Sequence, residues 1–294
     1  MWSKGKYSHM DEFVQESAEF GFSHVELSSI LTPDKLNELL GVKGLNVSSI
    51  HAPCPCVGIH QGLNEAAFSL SSLSEDARKK ALEFTKATIE LASKLNVDIV
   101  IIHAGRTDLN FSMEDELHQL YNMGRANSAE YGEIKEKLIA SRSFWACPHV
   151  DAAKASLREL AALASEKKVT LGIENRLYSY EIPNFDEMIG FLDELPSETV
   201  GYWYDSGHAE IQSRLGFCSH EEWIAGLSEK IIGAHLHDVR GIKDHYAPGS
   251  GDMDWNLIAA HLPKDALKVC EIGEWNKPED IRQVVSFLQG KGII

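Results

Sequence analysis

Residues 231–238, IIGAHLHD, begin as a buried strand and end as something else. Two isoleucines, a glycine and an alanine suit a sheet covered on both faces. His235 and His237 then follow two positions apart, so both point to the same side of an extended chain. A buried imidazole costs free energy unless it is hydrogen-bonded, paired or bound to a metal. The ends of the other apolar runs decide which of these applies.

Working outward, six more short runs read as strands: SHVELS (23–28), LNVSSIHA (45–52), VDIVIIHAG (97–105), VTLGIEN (169–175), VGYWYD (200–205) and LKVCEIG (267–273). Helical patterns fall between them, at about 9–20, 34–40, 75–95, 151–167, 184–194, 220–229 and 279–290. The clearest, EDARKKALEFTKATIELASKL at 75–95, spaces apolar residues by three and four and starts on Glu75 and Asp76. Strands alternating with helices predict a parallel sheet, and the spacing predicts a single (β/α)8 TIM-barrel domain over residues 1–294. The first strand is not followed by a Gly-rich phosphate fingerprint, which weighs against an open dinucleotide-binding sheet. A barrel needs an eighth stave before the first helix. Only MWSKGKY is available there, so that strand is expected to be short or degenerate, or to begin upstream of residue 1. Two inserts follow strands, at about 106–149 (with Phe111, Tyr121, Tyr131, Phe144 and Trp145) and 239–256. Both are therefore expected on the C-terminal face, where barrel enzymes build their sites.

The composition narrows the partners. With 28 basic against 44 acidic side chains, the formal charge is −16. Such a surface repels polyanions and disfavours nucleic acid and anionic membranes. No run approaches the ~18 apolar residues of a membrane span, and the N-terminal residues do not resemble a signal peptide. Five cysteines, an odd number scattered through a long chain, argue against a disulfide framework and for a reduced, cytoplasmic setting. Cys54 and Cys56 in HAPCPC lack the partner pair of a structural zinc site and read as packed thiols. A homo-oligomer is compatible with the fold, although no interface signature is visible.

Six consecutive strands end in a metal-ligand or acid/base side chain: His51, His103, Glu174, Asp205, His235 and Glu271. Chance would do this on the order of once in a hundred if the barrel rim is where function collects. Carboxylates and imidazoles gathered at one mouth repel one another without a cation. The mixture suits a divalent metal, Zn²⁺ or Mn²⁺ first, with Co²⁺, Fe²⁺ and Mg²⁺ compatible, rather than Ca²⁺. His208, three residues after Asp205, is spaced to reach the same site. Arg176 and Arg240, just past strand ends, are candidates for binding substrate anions, and His237 and Asp238 for steadying ligands from behind. Tyr202 and Trp203 alternate, one facing the barrel core and the other the helices. His9, His24, His60, His118, His149, His220 and His261 are expected to be solvated.

Taken in order, HAP, IIHAG, GIENR, YDSGH, HLHD, PGSGDMDW and VCEIGE resemble the xylose-isomerase-like TIM barrels, over about residues 9–290. That superfamily includes sugar isomerases and epimerases, inosose dehydratase, hydroxypyruvate isomerase and the endonuclease IV branch. The resemblance implies that Glu174, Asp205, His235 and Glu271 form the four-ligand metal site, and that His208 touches substrate. It also implies that His51, His103, His208 and His245 match further zinc ligands of endonuclease IV. Lys243 stands where that branch has an aspartate, with Asp244 one position off. The implied activity is metal-dependent isomerisation or epimerisation of a small sugar, keto-sugar or sugar phosphate through an enediolate. In it, Glu174 and Glu271 move the proton, and Arg176, His208, His237 and Arg240 contact substrate. The alternatives are an endonuclease IV-like phosphodiesterase and a dehydratase of a cyclic polyol.

Overall fold

A computed structural model describes residues 3–56, 68–109 and 112–294. The chain alternates as expected. Helix α1 (Met10–Glu19) leads to β1 (Val25–Leu27), followed by α2 (Pro33–Leu40), β2 (Val47–His51), α3 (Glu75–Leu95), β3 (Ile99–Ile102) and a short β4 (Gly105–Arg106). Next come α4 (Ser112–Asn122), α5 (Ala129–Lys167), β5 (Thr170–Glu174), β6 (Glu181–Ile182), α6 (Phe185–Glu194), β7 (Val200–Asp205), α7 (Ser206–Leu215) and α8 (His220–Ala225). The chain ends with β8 (Ile231–His235), β9 (Asp238–Arg240), β10 (Lys243–Tyr246), α9 (Trp255–His261), β11 (Leu267–Val269), α10 (Pro278–Arg282) and α11 (Val284–Gly290).

Seven strands form one sheet in the order β1-β2-β3-β5-β7-β8-β11, every pair parallel. The sheet curls into a nearly closed α/β barrel. Among the described residues no eighth stave lies between β11 and β1. Residues 3–9 run as turns, and the two edge strands line a groove of about 700 Å³ that Ser3 and Ile294 also border.

Trp203 fills the barrel interior beneath the mouth. A Cβ on Gly233 would lie 2.1 Å from its ring and one on Gly172 3.1 Å, so both glycines make room for the indole. Tyr202, on the opposite face of β7, packs against Trp223 of α8, as the alternation requires.

Three expectations need correction. The helix expected at 151–167 begins within the insert at 106–149. The described part of that insert forms α4 and the first half of the 39-residue α5, which share a small core of Leu117, Leu120, Tyr131, Ile134 and Leu138. This helical pair braces the loop after β5: Glu114 accepts from the Ser179 amide and hydroxyl (2.7 and 2.9 Å), and Arg142 grips Glu187 with two bonds of 2.7 Å. Second, α7 starts directly at the end of β7 and was not foreseen. Third, His149 and His220 are buried, not solvated. His149 donates to the Ser71 carbonyl, and His220 joins Tyr204 to Glu210. Phe111 and His60 lie outside the described residues. Cys54 and Cys56 are both buried. Among the described residues, no helix is long and apolar enough to cross a membrane.

Candidate metal centre at the barrel mouth

Parallel register brings the strand ends level. Asp205 pairs with His235, and His235 with Val269, two residues before Glu271; Glu174 pairs with Trp203, two residues before Asp205. One oxygen or nitrogen from each of Glu174, Asp205, His235 and Glu271 lies within 4.8 Å of the others. His235 Nδ1 sits 3.1 Å from Glu174 Oε1, 3.2 Å from Glu271 Oε2 and 3.8 Å from Asp205 Oδ2. One ring nitrogen carries at most one proton, so a single N–H faces three anionic oxygens. Burial disfavours the charge on Glu174, yet His103 and His235 outweigh it and hold the carboxyl well below its ordinary range. Glu271 behaves likewise, with burial overcome by His235 and His245. Three ionised carboxylates around one imidazole leave a net negative charge that a divalent cation neutralises. The donor set fits Zn²⁺ or Mn²⁺.

The supporting contacts are specific. Asp205 also caps α7, accepting the His208 amide at 2.7 Å, so one carboxylate is fixed by a helix N-terminus. His237 Nε2 donates to both oxygens of Asp205 at 3.0 Å, while Nδ1 accepts the His245 amide at 2.9 Å. With both nitrogens engaged and the ring fully buried, His237 steadies Asp205 and offers the barrel mouth no free nitrogen. Gly207 permits this, because a Cβ there would lie 2.1 Å from the His237 ring. Asp238 serves a different end from the one expected. It accepts from the amides of Val239, Gly249 and Met253 and from the Trp255 indole, folding the loop after β10.

The remaining candidates divide. His51 donates Nδ1–H to the Ala52 carbonyl (3.0 Å), leaving Nε2 3.3 Å from Glu174 Oε2. His103 Nε2 approaches the same oxygen at 2.7 Å from a partly exposed position. These three could hold a second cation. Arg176 already stands 3.3 Å from that oxygen, however, and is itself held by Glu181 at 2.8 Å. A guanidinium there repels a second metal. His208 donates Nδ1–H to the Asn175 carbonyl (2.9 Å) and turns Nε2 toward Asp244 Oδ2 at 3.8 Å, a buried oxygen without a hydrogen-bond partner. His245, left-handed at φ +57°, places Nδ1 3.0 Å from Asp244 and Nε2 3.5 Å from Glu271. Burial would lower its pKa, but the two carboxylates raise it to about 10, so it acts as a cation beside Glu271. The grouping of His208, His237 and His245 is thus weakened as a metal site by the two engaged nitrogens of His237. Arg240 is not at the cluster: its guanidinium bonds the Ser250 carbonyl and covers the Tyr246 ring.

Two residues escaped the sequence reading. Asn175 ties the site together, donating to the Asp205 carbonyl (3.0 Å) and accepting the Asp205 amide (2.7 Å) and the Tyr202 hydroxyl (3.0 Å). Its place beside Glu174 in GIENR was the available signal. Glu26 of β1 reaches His235 Nε2 at 3.1 Å. It too stands near a strand end, in SHVELS.

The chain resembles known proteins along most of its length. It is 26% identical over 210 residues to an uncharacterized protein of Methanocaldococcus jannaschii, covering 69% of this chain and just under two thirds (66%) of that one. It is 22% identical over 272 residues to D-psicose 3-epimerase of Enterocloster bolteae, covering 89% and 75%. Among solved structures, a D-tagatose 3-epimerase-like protein superposes with TM-score 0.68 at 18% identity, covering 97% of this chain and 93% of that one. An IolI protein with a bound zinc atom superposes with TM-score 0.62 at 14% identity, covering 97% and 92%. At these identities the superpositions speak for the fold. The family model described as xylose isomerase-like TIM barrel matches residues 14–291, and the chain belongs to that family.

Proposed function

We propose that this protein is a divalent-metal-dependent epimerase or isomerase of a small keto-sugar or sugar phosphate, working through an enediolate. The observation that carries the reading is the convergence of Glu174, Asp205, His235 and Glu271, with two carboxylates available to move a proton. The D-psicose 3-epimerase relative and the zinc-bound structural neighbour support it. A bound Zn²⁺ or Mn²⁺ would hold a substrate carbonyl and its neighbouring hydroxyl and stabilise the negative charge that develops on them. Glu174 and Glu271 are both kept ionised. One takes a proton from the carbon beside the carbonyl, and for isomerisation the same group returns it. For epimerisation the other, having taken up the proton of the substrate hydroxyl, delivers it to the opposite face, and the first gives its proton back to that oxygen. Arg176 steadies Glu174 through Oε2, leaving Oε1 on the side of His235 and Glu271. His208 Nε2, beside Asp244, is placed to meet a substrate hydroxyl.

Incubation with candidate ketoses in deuterated water tests this. The expected result is deuterium on the carbon next to the carbonyl, with an epimer or aldose formed, both abolished by chelation. Metal-loaded protein that exchanges no proton from any ketose or ketose phosphate overturns it. A product lacking one water identifies a dehydratase on the same site. The grouping of His51, His103 and Glu174 points to a second reading, a multinuclear phosphodiesterase, against which Arg176 beside Glu174 Oε2 weighs. Cleavage of abasic DNA would establish it, against the charge of −16.

A further inference from the structure

Glu26 lies in the three-residue strand β1 between Val25 and Leu27, which are both buried on the other face of the strand. Its side chain therefore enters the barrel, where an unpaired carboxylate is costly. Oε2 accepts the hydroxyl of Ser49 at 2.6 Å, its register partner on β2. Oε1 lies 3.1 Å from Nε2 of His235, on the opposite edge of the ring from the other three carboxylates.

The His235 ring has little freedom. It stacks parallel to His51 (centroids 5.9 Å apart, planes at 6°) and meets the edge of Trp203 at 5.2 Å. Without a cation both nitrogens face carboxylates. With one among Glu174, Asp205 and Glu271, Nδ1 gives up its proton and turns its lone pair to the cluster, while Nε2 keeps its hydrogen on Glu26.

We infer that Glu26, held by Ser49, is a positioning residue that locks His235 in its Nε2–H form, so that Nδ1 is the metal ligand. This rests on the reading that the four-residue cluster binds a divalent cation. Partners of this kind typically contribute 10–100-fold to metal affinity. Glu26 belongs to none of the residue groupings able to hold a metal among the described residues, so its effect runs through His235.

The test titrates metal-free protein with Zn²⁺ or Mn²⁺ and follows the His235 Nε2–H of the zinc-loaded form by ¹⁵N NMR. Glu26→Ala is expected to weaken binding about 10–100-fold and to speed the exchange of that hydrogen with solvent. Glu26→Gln, whose amide oxygen still accepts from Nε2, is expected to fall between Glu26→Ala and the unaltered protein. Ser49→Ala, which releases one Glu26 oxygen, shows a smaller loss and serves if Glu26→Ala does not fold. Unchanged affinity and unchanged Nε2–H exchange in Glu26→Ala, or in Ser49→Ala where the former fails to fold, overturn the inference. If the unaltered protein binds no divalent ion, the metal reading itself fails, which is a different result.

Discussion

Gly207→Ala is a one-carbon change with a calculable consequence. The added Cβ would lie 2.1 Å from His237 Cε1 and 2.4 Å from Nδ1, far inside contact distance. The ring cannot swing aside cheaply, because Nε2 bonds both Asp205 oxygens and Nδ1 the His245 amide. Overpacking a closed site costs typically about 1–3 kcal/mol. Moving His237 also releases Asp205, and losing such a partner costs about 10–100-fold in metal affinity. Urea unfolding of the metal-free protein should show the first loss, and metal titration the second. Gly190→Ala on α6, where a new Cβ meets nothing within 4 Å, is the control. It should be neutral or stabilising by roughly 0.5–1 kcal/mol. A Gly207→Ala protein matching the parent in both stability and affinity would refute the argument that His237 is wedged against α7 to hold Asp205.

Trp203→Ala empties the barrel beneath the mouth and should cost about 3–5 kcal/mol in equilibrium unfolding; a loss below 1 kcal/mol would mean the indole is not the plug. Arg176→Met removes the cation beside Glu174 Oε2, so at excess zinc the metal content should rise above that of the parent through His51 and His103; unchanged content would show that the guanidinium does not exclude a second ion. Glu114 has its pKa raised from 4.5 to about 7, chiefly by burial. Its contribution to stability is full below about pH 4.5 and lost as pH rises through 7, a difference of up to roughly 3 kcal/mol. Glu114→Gln should therefore gain melting temperature relative to the parent at pH 8 and little at pH 4.5. An equal gain or loss at both pH values would contradict that.

The convergence of Glu174, Asp205, His235 and Glu271 was legible because parallel barrel strands are nearly all apolar, which makes a charged residue at the end of each one conspicuous. Glu26 was missed because β1 has only three residues, and its carboxylate sits in the middle of a run drawn out to Ser28. Helix α7 was missed because Asp205 is at once the last strand residue and the helix cap, so no linker separates the two. The long α5 was masked by Pro148, which normally argues for a break. His149 and His220 looked solvated because a lone histidine on a helix carries no sign of what packs against it. The partners that bury them, Ser71 and Glu210 with Tyr204, are fixed only by the tertiary fold. Likewise the left-handed turn at His245, which brings Asp244 beside His208, is a property of the β9–β10 hairpin and not of residue spacing.

The proposed centre holds one cation between four side chains drawn from four strand ends. Elemental analysis of the purified protein after equilibration with zinc or manganese tests it most directly. The expected result is one divalent ion per chain, lost in Asp205→Ala. No bound ion, two or three ions per chain, or an Asp205→Ala protein that keeps its metal would contradict it.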